Sequence, residues 1–273
     1  MVEAKITDEE VELLLEDMLQ TYGYDFTSYS RASLKRRMNR LYALDHFVSF
    51  AEYRYRIKSD PAYLRRFVEE ITVNVTEMFR DTSFYKTLRT VVLPVLATHP
   101  FIRIWHAGCS TGEEVYSMAI LLKEANLLHK SLLYATDINP EVIEKAGKGI
   151  FPLNQLKQYS ENYIASGGTK DFSSYYTAQY HHAKFDNSLR EKMIFATHNL
   201  VSDRSFNAFQ LILCRNVLIY FDKDLQERVL QLFDDSLDQL GYLALGSKET
   251  IQFSSIYPKY EPIASEKIWR KKA

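Results

Sequence analysis

Ile104-Trp-His-Ala-Gly-Cys-Ser-Thr-Gly-Glu-Glu114 is the stretch of sequence that indicates the fold most directly. An apolar run passes into a turn of small residues, and two acids begin a helix pattern directly afterwards. Small side chains at 107–112 allow the backbone to pass close to a ligand. The turn lacks the GxGxxG pattern of dinucleotide sites and the Lys-Ser/Thr pair of a phosphate-binding loop. The stretch therefore predicts a strand, a turn and a helix that bind a nucleoside with a charged amino-acid tail.

Apolar runs and helix patterns alternate from residue 101 to the C-terminus. The predicted strands are 101–107, 132–136, 193–197, 209–213, 241–246 and 267–270. The predicted helices are 113–125, 139–148 and 222–240, the last of which ends at Gly241, a common helix stop. Such alternation predicts an α/β domain whose parallel sheet is covered by helices on both faces. Residues 151–191 do not fit the alternation, and we predict that they form a small inserted β-subdomain.

Asp137 ends the second predicted strand. Doubly wound folds use an acid at this position to accept hydrogen bonds from ribose hydroxyls. Taken alone, however, an acid and a small-residue turn are equally typical of a tight turn followed by a helix cap.

The N-terminal segment contains only helix patterns. Thr7 and the three acids after it mark the start of a first helix, and further helices are predicted at 30–42, 47–57 and 62–71. The chain is therefore predicted to comprise three parts. They are an all-α domain at 1–72, a linker at 73–88, and an α/β domain at 89–273 that holds the inserted subdomain.

Composition narrows the classes of function. The 273 residues include 34 Lys and Arg against 35 Asp and Glu, which excludes a strongly basic nucleic-acid-binding chain. The two cysteines, Cys109 and Cys214, form neither a CxxC motif nor a zinc-ligand spacing, so we expect no metal. The acidic start does not resemble a signal peptide, and 211–221 is too short to span a bilayer. We therefore expect a cytoplasmic protein without membrane insertion.

Four sequence blocks occur in a fixed order: Thr72-Val-Asn-Val-Thr-Glu-Met-Phe-Arg-Asp81, Gly108-Cys-Ser-Thr-Gly-Glu-Glu114, Tyr134-Ala-Thr-Asp-Ile138 and Cys214-Arg-Asn-Val-Leu-Ile-Tyr-Phe-Asp222. Together they resemble the CheR family of chemotaxis receptor methyltransferases, from about Phe26 to the C-terminus. The resemblance implies a Rossmann-like, S-adenosylmethionine-dependent methyltransferase domain with a small inserted β-subdomain, preceded by an all-α N-terminal domain that recognises the receptor. It also implies methylation of glutamate side chains on chemoreceptors, with S-adenosylhomocysteine as the second product.

Matching motifs transfer the family's cofactor contacts onto this chain. They are Asn74, Thr76, Arg80, Gly108, Glu114, Asp137, Asn199, Leu200, Arg215 and Asn216. The motif leaves open whether Glu113 or Glu114 contacts the cofactor, and we favour Glu114 because it aligns with the family's contact. A buried arginine such as Arg215 needs a partner or a function, whereas Asn74 and Thr76 could simply cap a helix.

Methyl transfer from a sulfonium to a carboxylate requires no general base, because glutamate with its pKa of about 4.3 is ionised at neutral pH. The enzyme then contributes mainly by orienting the reactants. We predict that Arg80 holds either the substrate carboxylate or the cofactor carboxylate, and that Tyr220 donates a hydrogen bond to the substrate glutamate. The alternatives are a surface ion pair between Arg80 and Asp81, and a purely structural Tyr220.

Five cations lie close together in the second predicted helix. They are Arg31, Lys35, Arg36, Arg37 and Arg40. The receptor's methylated helical bundle is rich in glutamate, so a basic helix would guide its encounter with the enzyme. The resemblance implies the same docking role, and a solvated helix face is the alternative.

Two other functions need to be considered. A nucleic-acid methyltransferase could use the basic helix to bind phosphates, but the [DN]PP[YF] motif of DNA amino methyltransferases is missing. A cofactor-binding signalling module would not need Arg80, Arg215 and Tyr220. We therefore predict a chemoreceptor partner and no nucleic acid. The sequence leaves open whether the β-subdomain binds a C-terminal receptor peptide, and it does not identify the receptor or the oligomeric state.

Overall fold

The computed structural model describes residues 5–72 and 76–273. The chain divides into two compact units. Residues Met1–Asn74 and Tyr220–Arg228 form the first, which we call the helical unit, and Val75–Ile219 and Val229–Ala273 form the second, which we call the α/β unit. The short segment at 220–228 therefore groups with the N-terminal helices, although it lies far along the sequence from them.

Among the described residues 5–72, the helical unit contains four α-helices, as the sequence predicts. They are α1 (Asp8–Tyr22), α2 (Arg31–Leu44), α3 (Phe50–Ser59) and α4 (Pro61–Thr72). Thr7 caps α1 in a capping box with Glu10, which satisfies two backbone donors at the helix start. Side chains such as Met38, Tyr53 and Phe67 are fully buried, so each helix contributes an apolar face to one small core.

The α/β unit is built on a seven-stranded sheet. The helices after the N-terminal four are α5 (Thr82–Thr87), α6 (Leu93–Leu96), α7 (Glu113–Glu124), α8 (Pro140–Lys148), α9 (Leu156–Ala165), α10 (Asn187–Arg190) and α11 (Lys223–Ser236). The start of α11, up to Arg228, belongs to the helical unit. The strands are β1 (Ile102–Ala107), β2 (Ser131–Asp137), β3 (Ile150–Pro152), β4 (Tyr176–Gln179), β5 (His182–Phe185), β6 (Met193–Thr197), β7 (Phe209–Cys214), β8 (Leu237–Leu245), β9 (Tyr260–Pro262) and β10 (Ile268–Lys271).

The order of the strands brings the first predicted strand to the middle of the main sheet. That order is β6-β2-β1-β7-β8-β10-β9, and Ile104 of β1 pairs with Leu133 on one side and Leu211 on the other. All three of these side chains are fully buried. Neighbouring strands from β6 to β8 run parallel, so the loops after β1, β2, β6 and β7 meet at one edge of the sheet.

Strands β3, β5 and β4 form a separate antiparallel sheet of three strands. This sheet confirms the predicted inserted β-subdomain. Its Phe185 packs against Tyr116 of α7 with their ring centres 5.6 Å apart, so the insertion shares the core of the α/β unit.

Two details of the predicted fold are wrong. The last long helix ends at Ser236 instead of residue 240, because Leu237 already pairs with Phe209 of β7, and the strand bulges before Tyr242 pairs with Leu211. The sheet is also not wholly parallel, since β10 runs antiparallel to both β8 and β9. Pairing with distant strands determined both features, and helix periodicity does not report such pairing. Within the described residues, none of the helices has both the length and the apolar character needed to span a bilayer.

Candidate active site

The turn after β1 lies against the end of β2. The amides of Gly108 and Cys109 both donate to the Thr136 carbonyl, at 2.8 and 2.9 Å. Gly108 has a φ of 78°, and a Cβ on it would lie 2.4 Å from a methyl group of Val217. Only glycine fits this position, so the loops after β1, β2 and β7 can approach one another closely.

Asp137 is the centre of the predicted ribose site. The Ser110 amide donates to Asp137 Oδ2 at 2.9 Å, and the Asn139 amide donates to Oδ1 at 3.1 Å. Burial raises the pKa of Asp137, and these backbone hydrogen bonds oppose the rise. Each carboxylate oxygen retains a lone pair that can accept a further hydrogen bond.

Two polar atoms beside Asp137 are buried without a partner in the described part of the chain. They are Ser110 Oγ and Asn139 Nδ2. Buried polar groups of this kind are rare unless a ligand or water satisfies them. The acid acceptor and the two unpartnered groups are the donor and acceptor set that a nucleoside requires, so these residues fit the predicted cofactor.

The two acids at the start of α7 have different surroundings. His106 Nδ1 donates to Glu114 Oε1 at 3.0 Å, and Arg215 Nη1 donates to Oε2 at 3.1 Å. Burial alone would raise the pKa of Glu114, but His106 and the charge of Arg215 lower it, so Glu114 is a carboxylate held by a cation.

Glu113 has only neutral donors among the described residues: Thr111 Oγ1 at 2.6 Å and the Tyr159 hydroxyl at 3.4 Å. Burial raises the pKa of Glu113 to about 7. Glu113 is thus buried and Glu114 is partly buried at the same helix end, and the choice of Glu114 as the cofactor contact stays a prediction.

Arg215 links the loop after β7 to the segment that carries Arg80. Its side chain is only 3% exposed, and Nη2 donates to Asp81 Oδ2 at 2.6 Å and to the Arg80 carbonyl at 3.1 Å. The guanidinium carbon also lies 4.1 Å from the ring centre of Phe84. With Glu114 on its other nitrogen, Arg215 therefore fixes the backbone of Arg80 relative to α7.

The segment around Arg80 has an unusual backbone. Phe79 and Asp81 both have positive φ values, 54° and 61°, which are costly for residues other than glycine. The Phe79 amide donates to Ser117 Oγ of α7 at 3.0 Å. Packing and hydrogen bonds thus hold Arg80 between two strained residues.

A buried acid that the sequence analysis missed holds the loop after β7. Glu249 accepts hydrogen bonds from the amides of Gly246, Asn216, Val217 and Ile219, at 2.6, 3.0, 2.9 and 3.3 Å. Asn216 has a φ of 62°, and the hydrogen bonds from these amides to the Glu249 carboxylate stabilise that conformation. Its position is the sequence signal that could have identified Glu249 as a site residue, because Glu249 follows the end of a predicted strand as Asp137 does.

The remaining predicted contacts of the α/β unit follow β6 or precede α5. The His198 amide donates to the Asp137 carbonyl at 3.0 Å, which brings Asn199 and Leu200 near the ribose acid. The Asn199 side chain accepts from the Val201 amide at 2.9 Å, so part of its capacity serves its own turn. Thr76 is half-buried, and Asn74 lies outside the described residues.

The helical unit holds the other predicted functional residues. Lys35 pairs with Asp8, Arg40 with Glu70 and Arg31 with Glu12. Each pair has at least one exposed side chain, and Lys35 and Glu70 are partly buried. Arg36 is exposed and has no ion pair in the described ranges. Arg37 is buried instead, and its guanidinium carbon lies 4.6 Å from the ring centre of Tyr220.

A sheet whose strands β6, β2, β1, β7 and β8 run parallel, with the following loops at one edge, defines a Rossmann-like domain, and a family description adds the activity and the cofactor. The family model described as CheR methyltransferase, SAM binding domain, matches residues 74–265, where SAM is S-adenosylmethionine. The model described as CheR methyltransferase, all-alpha domain, matches residues 9–72. The chain belongs to the CheR methyltransferase family and is an S-adenosylmethionine-dependent methyltransferase. The predicted family and cofactor are confirmed.

Several curated proteins are similar to the chain over most of their length. A Pseudomonas putida protein provisionally named methyltransferase Cher3 is 46% identical over 99% of this chain and 100% of its own. A Listeria innocua chemotaxis protein methyltransferase is 31% identical over 84% of this chain and 85% of its own. Chemotaxis protein methyltransferase 2 of Pseudomonas aeruginosa is 32% identical over 83% and 79%. The Listeria and Pseudomonas aeruginosa relatives are thus named for methylation in chemotaxis, and the Pseudomonas putida relative is named only as a methyltransferase. Among the described residues, no group of three or more side chains could hold a metal ion.

Proposed function

We propose that the chain transfers the methyl group of S-adenosylmethionine to glutamate side chains of chemoreceptors and forms glutamate methyl esters. One observation carries the proposal: the family match covers the all-α domain as well as the cofactor-binding domain. The chain therefore shares with its chemotaxis relatives a segment that lies outside the Rossmann-like fold. That segment carries the cluster of exposed cations expected of a surface for an acidic partner.

S-adenosylmethionine supplies a methyl group that is already activated by a positively charged sulfur. In the proposal Asp137 accepts hydrogen bonds from the ribose, and Glu114 contacts the charged tail of the cofactor. Arg80 orients a carboxylate, as its planar guanidinium allows. Its backbone is anchored by Arg215, so little ordering remains to be done when substrate binds. Tyr220 donates a hydrogen bond to the substrate glutamate.

Docking of the receptor follows from the surface ion pairs of α2. Exposed pairs such as Lys35 with Asp8 are worth about 0–1 kcal/mol each. Glutamates of a receptor bundle can therefore replace Asp8, Glu12 and Glu70 at little cost. Arg36 is available for a receptor carboxylate directly.

The inserted sheet offers a second place for the receptor. Strands β3 and β4 are its outer strands, so each has one edge without a neighbouring strand in that sheet. An extended peptide can add a strand to such an edge. We propose that a C-terminal receptor peptide binds there, and titration of this peptide against the protein checks the proposal.

The reaction is tested with S-adenosylmethionine that carries a tritiated methyl group. The purified chain is mixed with cytoplasmic fragments of the receptors from its own cell, and with DNA and RNA in parallel. We expect label on a receptor fragment that mild alkali releases as methanol, because methyl esters are alkali-labile. Arg80→Ala is the variant that should lose this label. Alkali-stable label, label on nucleic acid or no transfer would each contradict the proposal.

A further inference from the structure

Arg37 differs from the four other cations of α2. It is only 7% exposed, and its Nη1 donates to the carbonyls of Ile71 and Glu70, at 2.9 and 3.3 Å. These carbonyls belong to the last turn of α4, where backbone acceptors lack partners within the helix. A carboxylate of a docking protein cannot reach a guanidinium in this position without displacing the core around it.

The Arg37 guanidinium lies over the ring of Tyr220. Its central carbon lies 4.6 Å from the centre of the tyrosine ring, a distance typical of a cation–π contact. Tyr220 is itself only half-buried, so part of the residue is exposed. The contact therefore covers one face of the ring without burying the whole residue.

The backbone of Tyr220 is held in the same unit. The Ser30 amide donates to the Tyr220 carbonyl at 2.8 Å, and the Asp222 amide donates to the Ser28 carbonyl at 3.0 Å. Tyr29 and Phe221 form an antiparallel bridge between these two segments. Because the main chain is fixed, the orientation of the Tyr220 ring depends only on rotation about its side-chain bonds. The contact with Arg37 restrains that rotation.

We propose that Arg37 is a positioning residue that orients Tyr220 for catalysis, and that it takes no part in receptor docking. The inference rests on the proposed function, because it gives Tyr220 a role toward the substrate glutamate. Lysine cannot replace Arg37, since a compact ammonium group lacks the extended planar guanidinium that bonds two carbonyls and also lies over an aromatic ring. The basic helix then has two tasks: exposed cations meet the receptor and one buried cation orients a side chain.

The test compares Arg37→Lys with Arg66→Lys as the matched control. Arg66 also lies over a tyrosine of the helical unit, with its guanidinium carbon 5.8 Å from the ring centre of Tyr63. Methylation of a receptor cytoplasmic fragment is measured at several salt concentrations. We expect Arg37→Lys to lower kcat about tenfold, with unchanged KM for receptor, unchanged cofactor affinity and no dependence of the loss on salt. Arg66→Lys should leave all of these values unchanged.

Arg37→Lys is also measured in a Tyr220→Phe background, which distinguishes misorientation of Tyr220 from general damage to the structure. If Arg37 acts through the Tyr220 hydroxyl, Arg37→Lys should cost little further kcat once that hydroxyl is gone. An equal loss in both backgrounds would overturn the proposal. So would a higher KM for receptor at unchanged kcat, because that pattern indicates docking.

A second readout does not require methylation. Fluorotyrosine placed at Tyr220 should show a shifted fluorine NMR signal in Arg37→Lys and an unshifted signal in Arg66→Lys. An unshifted signal in both variants would overturn the positioning proposal even if kcat fell. If the signal shifts but the wild type methylates no receptor fragment, the proposed function is contradicted. The contact between Arg37 and Tyr220 would then orient the ring, but it would have no role in methylation of a receptor.

Discussion

Arg31 and Arg40 of α2 pair with Glu12 and Glu70 at the surface of the helical unit, whereas Arg215 of the α/β unit has a side chain that is 3% exposed. Arg215 has two carboxylates, a carbonyl and two aromatic rings as neighbours. The surface arginines have one carboxylate partner each, apart from nearby carbonyls. Solvent screens the exposed pairs, so a partner protein can exchange them. A buried ion pair cannot be exchanged in this way, because removal of one charged side chain leaves its partner buried without a compensating charge. Burial therefore separates the cations that we propose to recognise a partner from those that hold loops of the α/β unit together.

The largest expected effect is that of removing the buried cation. Arg215→Met should lower the free energy of unfolding by about 3–5 kcal/mol, because Glu114 loses its compensating charge. Arg31→Met, the surface control, should lower it by less than about 1 kcal/mol. Denaturant titration of both variants measures the difference. Equal losses would remove the distinction between the two regions.

The second prediction concerns the buried acid Glu113. Burial raises its pKa from 4.5 to about 7, so within this range the folded protein keeps a proton that the unfolded chain has lost. Stability should then decrease as pH rises through the range, by at most about 3 kcal/mol in total. Unfolding measured from pH 5 to pH 7, in roughly half-unit steps, should show this decline in the wild type and a smaller decline in Glu113→Gln. The exposed control Glu12→Gln should keep the wild-type decline, and an undiminished decline in Glu113→Gln would assign it to other groups.

The third prediction concerns Glu249, which bonds four backbone amides. Glu249→Gln places an amide donor opposite backbone donors, so we expect a loss of about 1–3 kcal/mol of stability. Cofactor affinity should also fall, since the loop that carries Asn216 is no longer held. Glu261→Gln, at an exposed position in β9, is the control and should change neither quantity. If Glu249→Gln binds S-adenosylmethionine like the wild type in calorimetry, the loop does not depend on this acid.

The fourth prediction tests the cofactor site itself. Asp137→Ala should weaken S-adenosylmethionine binding at least about tenfold, because hydrogen bonds to a charged group are worth about 1.5–3 kcal/mol. Glu114→Ala should also weaken binding, and titration calorimetry measures both. Asp224→Ala, in the first turn of α11, should bind normally. Unchanged affinity in Asp137→Ala and Glu114→Ala would contradict the assignment of the site.

The last prediction concerns the exposed cations Arg36 and Arg40 of α2, whose substitution should change the stability of the protein least. Reversal of Arg36 and Arg40 to Glu should raise the KM for receptor severalfold and leave cofactor affinity unchanged, because the charges act between the two proteins. Wild-type methylation should slow as salt rises, since screening limits such attraction to about 8 Å at physiological ionic strength. Normal methylation by the double variant at low salt would show that the helix is only a solvated face.

Local signals made much of the fold predictable. The small-residue turn followed by Glu113 and Glu114 correctly placed β1 and α7, and Thr7 correctly placed the start of α1. Each of these signals lies within a few residues of the element that it marks, because caps and turns are short-range interactions. The four blocks also sufficed to predict the family and its cofactor.

The sequence by itself determined the positions of most helices and strands, the family and the type of cofactor. Only the tertiary structure decided which charged residues are buried and what they contact. Arg215 bonds Asp81 and Glu114 across 134 and 101 residues of sequence, and Arg37, one of five similar cations, lies against Tyr220. Five neighbouring cations look alike along the chain because helix periodicity says which residues share a face, but it does not say what covers that face. Packing against residues that are distant in sequence determines which side chains cover the helix face. It thereby sets the dielectric surroundings, which differ between the exposed cations that we propose for docking and the buried Arg37 that we propose for positioning.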